Sequence, residues 1–242
     1  MSKKKSKTGL IILAVFLLTI LLVFSYLGFI PFLSEIFNKP VDLGIKYTEK
    51  DLISAQQKSG IIKKDLPENT LIENSIYYTG KNNIDNYFTS QELTAWANSP
   101  HWKYYPLKDV QIRINNDNTA EVSGKIKTSV LDNYKKSINL KDEEADKALD
   151  YIKYLQNPSF YAKGKVEIKN NNVELDYEKI KINNFEIPKE YDNKIESTST
   201  RLLFKIRNSV KGLDVLDVKE MKLENGNLIF KGTLPKEEYG LK

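Results

Sequence analysis

Three hairpin-like runs with helical segments set among them, behind one long charge-free apolar run, predict an α+β protein with an N-terminal transmembrane helix. Strands joined by tight turns pair antiparallel, and the helices here interrupt hairpins instead of alternating with single strands. The expected architecture is an extracytoplasmic domain in which an antiparallel sheet of three hairpins packs on a long helix.

No charged residue occurs from Thr8 to Ser34. As a helix, Gly9–Leu33 would be about 37 Å long at ~1.5 Å per residue, enough to cross a hydrocarbon core of about 30 Å. A cleaved secretory signal would carry a shorter apolar stretch and a small-residue cleavage site. Lys3, Lys4, Lys5 and Lys7 precede the run, and positive flanks stay cytoplasmic. The chain is therefore expected in the plasma membrane as a single-pass protein with its N-terminus inside. The divisions are 1–8 as a cytoplasmic basic tail, 9–33 as the span, 34–87 as a juxtamembrane connector with one short helix, and 88–242 as the extracytoplasmic domain.

The charge balance fits this division. The net charge is +5 over 242 residues, and most of it sits in the tail. Only Arg113, Arg201 and Arg207 offer guanidinium groups, which argues against a nucleic-acid partner. There is no cysteine and one histidine. Disulfides, thiolate nucleophiles, Fe–S clusters and thiolate zinc sites are excluded, and no metal or cofactor is expected.

After the connector's opening, two segments share the pattern aromatic-Thr-x-x-acid-Leu. In Tyr47–Gly60, Thr48 is an N-cap with Asp51 three residues on. In Phe88–Ser99, Thr89 and Glu92 repeat the arrangement. Both are capping boxes with hydrophobic staples, ended by Gly60 and Pro100. This gives Glu92 a structural role.

The hairpins come next. Val110, Ile112 and Ile114 alternate with polar residues, as do Ala120, Val122, Gly124 and Ile126. A turn at Asn170-Asn171 pairs Ile168 with Val173 and Val166 with Leu175. Parity flips after Tyr177, which predicts a bulge, and a further strand-like run continues through Lys179–Ile187. Asn225-Gly226 pairs Leu223 with Leu228 and Met221 with Phe230. Between them, Lys141–Asn157 carries Ala145, Ala148, Leu149, Ile152 and Leu155 at helical spacing. Pro188–Gly212 starts on proline and ends on glycine, with Tyr191, Ile195, Leu202, Ile206 and Val210 as a stripe.

Catalytic signatures are missing. There is no G-x-S-x-G, Walker A or G-x-G-x-x-G pattern. The acids of Asp142–Asp146 open a helix, where negative charge favours the dipole. Asn115–Asn118 lacks the spaced acids of a calcium loop and reads as a turn. His101 stands among Trp96, Trp102, Tyr104 and Tyr105. As a general base it would need Glu92 or Asp109 as partner. The expected reading is that these aromatics fix the joint between helix and sheet, with no catalytic residue.

The order of anchor, capped helix "TSQELTAWANS", hairpin "VQIRINNDNTAEVSGKIK", long helix entered from "FEIP", and "VKEMKLENGNLIFKG" resembles membrane-anchored extracytoplasmic proteins of tubular lipid-binding (TULIP) type, including the YpmS-like group of Gram-positive bacteria. The likeness covers roughly 88–234. It implies a strongly curved sheet wrapped along the long helix, with a groove for acyl chains. Ile195, Leu202, Leu203, Ile206, Leu228 and Phe230 would line that groove; packed together as core, they would leave none. The function expected is a non-catalytic, membrane-tethered domain that binds lipid or another apolar envelope molecule. The alternative is an interaction module of a cell-envelope complex, with envelope proteins as partners.

Overall fold

The computed structural model describes residues 38–242, the side chains of 192–196 excepted. Those residues form an α+β structure with five helices and largely antiparallel sheets. Among the described residues no helix is long and apolar enough to cross a membrane. The expected tail and span, 1–8 and 9–33, lie outside those residues.

Both capped helices form where the sequence places them. Helix α1 (Glu49–Ser59) starts at Thr48, whose N–H and hydroxyl donate to Asp51, and stops at Gly60 with φ 64°. Helix α2 (Ser90–Ala97) starts at Thr89. There the Glu92 N–H donates to Thr89 Oγ1 at 3.2 Å, and the Thr89 N–H donates to Glu92 Oε2 at 2.8 Å.

Three hairpins build the main sheet: β4–β5 (Leu107–Ile114 and Ala120–Ile126), β6–β7 (Ser159–Lys169 and Asn172–Ile182) and β9–β10 (Asp217–Glu224 and Asn227–Leu234). The last two have the expected registers. Ile168 faces Val173 and Val166 faces Leu175, while Leu223 faces Leu228 and Met221 faces Phe230. The bulge falls at Glu178, because Gly164 pairs with Tyr177 and Lys163 with Lys179. Strand β3 (Asn82–Thr89) forms the edge, giving the order β3-β10-β9-β6-β5-β4. Strand β7 pairs with β6 and with the short β8 (Phe185–Glu186).

The region expected as a connector, 34–87, is part of the folded domain from residue 38 onward. Strand β3 pairs along its whole length with β10. Strands β1 (Ile62–Asp65) and β2 (Ile76–Thr79) flank the C-terminal β11 (Glu237–Gly240), β1 parallel and β2 antiparallel. This small second sheet joins chain segments that sequence order keeps far apart, and a boundary at 87/88 would cut β3. The extended stretch before α1 also covers the polar side of the β4–β5 hairpin. Leu43 and Ile45 donate their N–H groups to Gln111 Oε1, and Arg113 reaches the Leu43 carbonyl. Glu121 and Ser123, the polar residues that alternate with Ala120, Val122 and Gly124, are buried.

The remaining helices are α3 (Leu131–Ser137), α4 (Glu143–Tyr154) and α5 (Asp192–Ser209). Pro188 does not open α5 directly. A 3-10 turn, Lys189–Tyr191, intervenes, so the helix is 18 residues long and shorter than Pro188–Gly212 predicts. Among the described residues, two apolar clusters form core. One gathers Ile76, Trp102, Ile138, Leu140, Ala145 and Val210; the other gathers Ile84, Phe88, Val218 and Phe230.

Candidate functional site

The segment after α2 is stitched to the small sheet. Lys103 N–H donates to the Leu241 carbonyl at 2.8 Å, and Leu241 N–H to the Ser75 carbonyl at 2.9 Å. Gly240 lets the two backbones touch: a Cβ there would stand 1.9 Å from the His101 carbonyl oxygen. On the other side Gly212, at φ 76°, lies so close to β2 that a Cβ would meet the Tyr78 carbonyl oxygen at 1.9 Å. These approaches bring α2, β1, β2, β11 and the end of α5 around one space.

That space is a cleft of about 360 Å³. Its walls are Tyr78, Trp96, Trp102, Tyr105 and Tyr134, with Ile76, Leu107, Ile138, Ile206, Val210 and Leu213. Trp102 anchors it. The indole is buried, donates to Ser75 Oγ at 3.1 Å, and packs against Tyr134 with ring centres 5.6 Å apart. The polar side chains lining the cleft are Lys63, His101 and Glu238.

Those three have distinct settings. Lys63 Nζ donates to the Ser99 carbonyl at 2.6 Å and lies 5.1 Å from the centre of the Trp96 ring. Burial pushes its ammonium below the usual lysine range, against the pull of Glu238. Burial pushes the Glu238 carboxyl up, although Lys63 and His101 hold it down. The Glu238 carboxylate makes no hydrogen bond or ion pair with the described residues. His101 Nε2 is 2.6 Å from Asp65 Oδ1, at ion-pair distance without hydrogen-bond alignment. Asp65 is exposed and also meets Lys242 at 2.9 Å. Burial likewise raises the Tyr78, Tyr105 and Tyr134 phenols.

A second, more apolar cavity of about 250 Å³ lies behind Trp96, between α1, α2 and β10. Trp96 forms part of both walls.

No family model, curated protein or solved structure matches this chain.

The expected groove residues divide between the two cavities. Ile206 lines the Trp102 cleft, and Leu202 packs against the same core. Leu228 and Phe230 line the cavity behind Trp96. Leu203 points to solvent, 51% exposed. The Ile195 side chain lies outside the described residues. Of the five described, Ile206 on α5 and Leu228 and Phe230 on β10 line different cavities.

His101 has neither proposed acid beside it. Glu92 is buried and engaged by Lys58 Nζ at 2.8 Å, by Ser54 and by the Thr89 N–H. Asp109 sits at a bulge in β4 with φ 53°. The groups that do flank His101, Asp65 and Glu238, come from β1 and β11. No local pattern signals them, since each is an ordinary charge in a short strand until the small sheet forms. Among the described residues no group of three or more His, Asp or Glu is placed to hold a metal ion.

Proposed function

We propose that the chain is a non-catalytic, membrane-tethered extracytoplasmic domain that binds an apolar molecule of the cell envelope in the Trp102 cleft. One observation carries this reading: a half-open, aromatic-walled space of about 360 Å³ with a small polar group at one side. Ligand sites are of this kind, mostly apolar walls with few convergent polar groups, and span about 300–1,000 Å³. The charge-free run Gly9–Leu33 and the resemblance of 88–234 to tubular lipid-binding proteins support the same reading. The binding place is the cleft beside Trp102, with Ile206 in its wall, instead of a single groove along α5.

Lipid extraction of the full-length chain, purified beside an Ile206→Trp variant that fills the cleft, tests the proposal. A molecule that accompanies the parent chain and is lost from the variant is the expected result. Identical extracts from both chains would sink it.

One observation favours the alternative of an interaction module. Tyr151 and Tyr154 on α4, Phe185 on β8, and Leu203 and Phe204 on α5 are exposed apolar side chains. Crosslinking in intact cells distinguishes the readings: capture of an envelope protein through Tyr151 or Tyr154 supports the module, and recovery of monomer alone counts against it.

A further inference from the structure

If the cleft binds an apolar molecule, as proposed above, its polar end constrains the chemistry of that molecule's head. Charge there is already balanced. Lys63 faces Glu238 across β1 and β11, and Asp65, beside His101, is met by Lys242 at 2.9 Å. A ligand with a formal charge would leave one charge uncompensated in a half-buried site, at an unfavourable desolvation cost.

Hydrogen-bonding capacity is not balanced. Glu238 has no protein donor among the described residues, and the hydroxyls of Tyr78, Tyr105 and Tyr134 have no hydrogen-bond partner there either. All four residues line the same space. Lys63 is committed to the Ser99 carbonyl and the Trp96 face. The open positions are thus one strong acceptor, three groups that both donate and accept, and the His101 ring, whose Nε2 sits beside Asp65 without hydrogen-bond alignment. A neutral head bearing several hydroxyls matches that set, and a ring of C–H groups packs on the flanking aromatic faces.

We propose that the ligand is a neutral, hydroxyl-rich amphiphile, of the glycosyl-lipid or acylglycerol class. Its head donates to Glu238 and exchanges hydrogen bonds with Tyr78, Tyr105 and Tyr134, while its apolar chain runs along Trp102 toward Ile206.

The test uses the full chain in phosphatidylcholine nanodiscs with three photoreactive probes on the same octyl chain: a glucoside, a primary amine and a carboxylate. Labelling is mapped by peptide mass spectrometry. The glucoside is expected to label the Ile206 and Trp102 peptides about tenfold more than either charged probe. Glu238→Ala should lower that labelling about tenfold, the size of effect of losing a hydrogen bond to a charged acceptor. Glu238→Gln, which keeps an acceptor oxygen and the fold of β11, should restore most of it. Free glucose in excess should not compete, which separates a glycolipid from a soluble sugar; efficient competition would overturn the amphiphile assignment. Equal or stronger labelling by the amine or the carboxylate would overturn the neutral-head assignment, as would labelling unchanged in Glu238→Ala. Absence of cleft labelling by all three probes would instead remove the underlying proposal of an apolar ligand.

Discussion

Trp102 and Ser75, 27 residues apart, are joined by a hydrogen bond from the indole N–H to the hydroxyl at 3.1 Å, with both residues buried. The contact ties the turn after α2 to the start of β2, so the cleft wall and the small sheet are fixed together. Trp102→Ala removes a large buried ring and is expected to cost about 3–5 kcal/mol. Trp102→Phe keeps most of the apolar area but leaves the Ser75 hydroxyl unpaired, a loss of roughly 1–3 kcal/mol. Urea unfolding of both variants checks the order; Phe proving as damaging as Ala would show that the hydrogen bond dominates over the ring.

Gly240 should tolerate no side chain. Its close neighbour is backbone, the His101 carbonyl, which a Cβ would meet at 1.9 Å. The strand cannot retreat without breaking the Lys103-to-Leu241 bond beside it. Gly240→Ala is expected to destabilise by about 3 kcal/mol, the upper part of the overpacking range. A thermal melt within a degree of the parent would contradict the close approach.

The buried Glu92 links stability to pH. Burial pushes its carboxyl up, but Lys58, Ser54 and the Thr89 N–H outweigh this and hold it below the usual glutamate range. Its folded pKa is therefore lower than its unfolded one. The stabilisation is complete well above about pH 4.5 and is lost as pH falls through the lower folded value. Glu92→Ala removes the cap partner and leaves Lys58 half-buried without its carboxylate, costing roughly 3 kcal/mol at about pH 7. The parent and variant stability curves should converge as pH falls below about 4.5 and the carboxylate is protonated at its lowered folded value. Parallel curves from neutral to acid pH would show that the carboxylate's charge is not what stabilises the helix.

How legible these features are depends on how local their causes are. The capping boxes at Thr48 and Thr89 and the turns at Asn170-Asn171 and Asn225-Gly226 are decided within a few residues, so sequence reads them correctly. The bulge after Tyr177 is visible because the alternation itself breaks. The small sheet is not visible in this way. Lys63, Asp65 and Glu238 become neighbours only because β11 inserts between β1 and β2, and four-residue strands carry too little pattern to show it. The same limit explains the expected single groove. Leu202 and Ile206 lie on the helical stripe and Leu203 lies off it, facing solvent, but no local pattern tells that α5 and β10 line different cavities.

The division of the expected groove residues gives a contrast between two neighbours on α5. Ile206 lines the cleft, whereas Leu203 is 51% exposed. Leu203→Asp should change stability by no more than about 0.5 kcal/mol, as surface substitutions usually do, and should leave cleft labelling by an alkyl glucoside intact. Ile206→Trp adds ring atoms to a space that is open, so its stability cost should stay below about 2 kcal/mol, while cleft labelling is lost. Urea unfolding and probe labelling measured on the same two proteins separate the effects. If Leu203→Asp abolishes labelling and Ile206→Trp does not, the ligand lies on the outer face of α5, and the aromatic cleft is only an imperfectly filled part of the core.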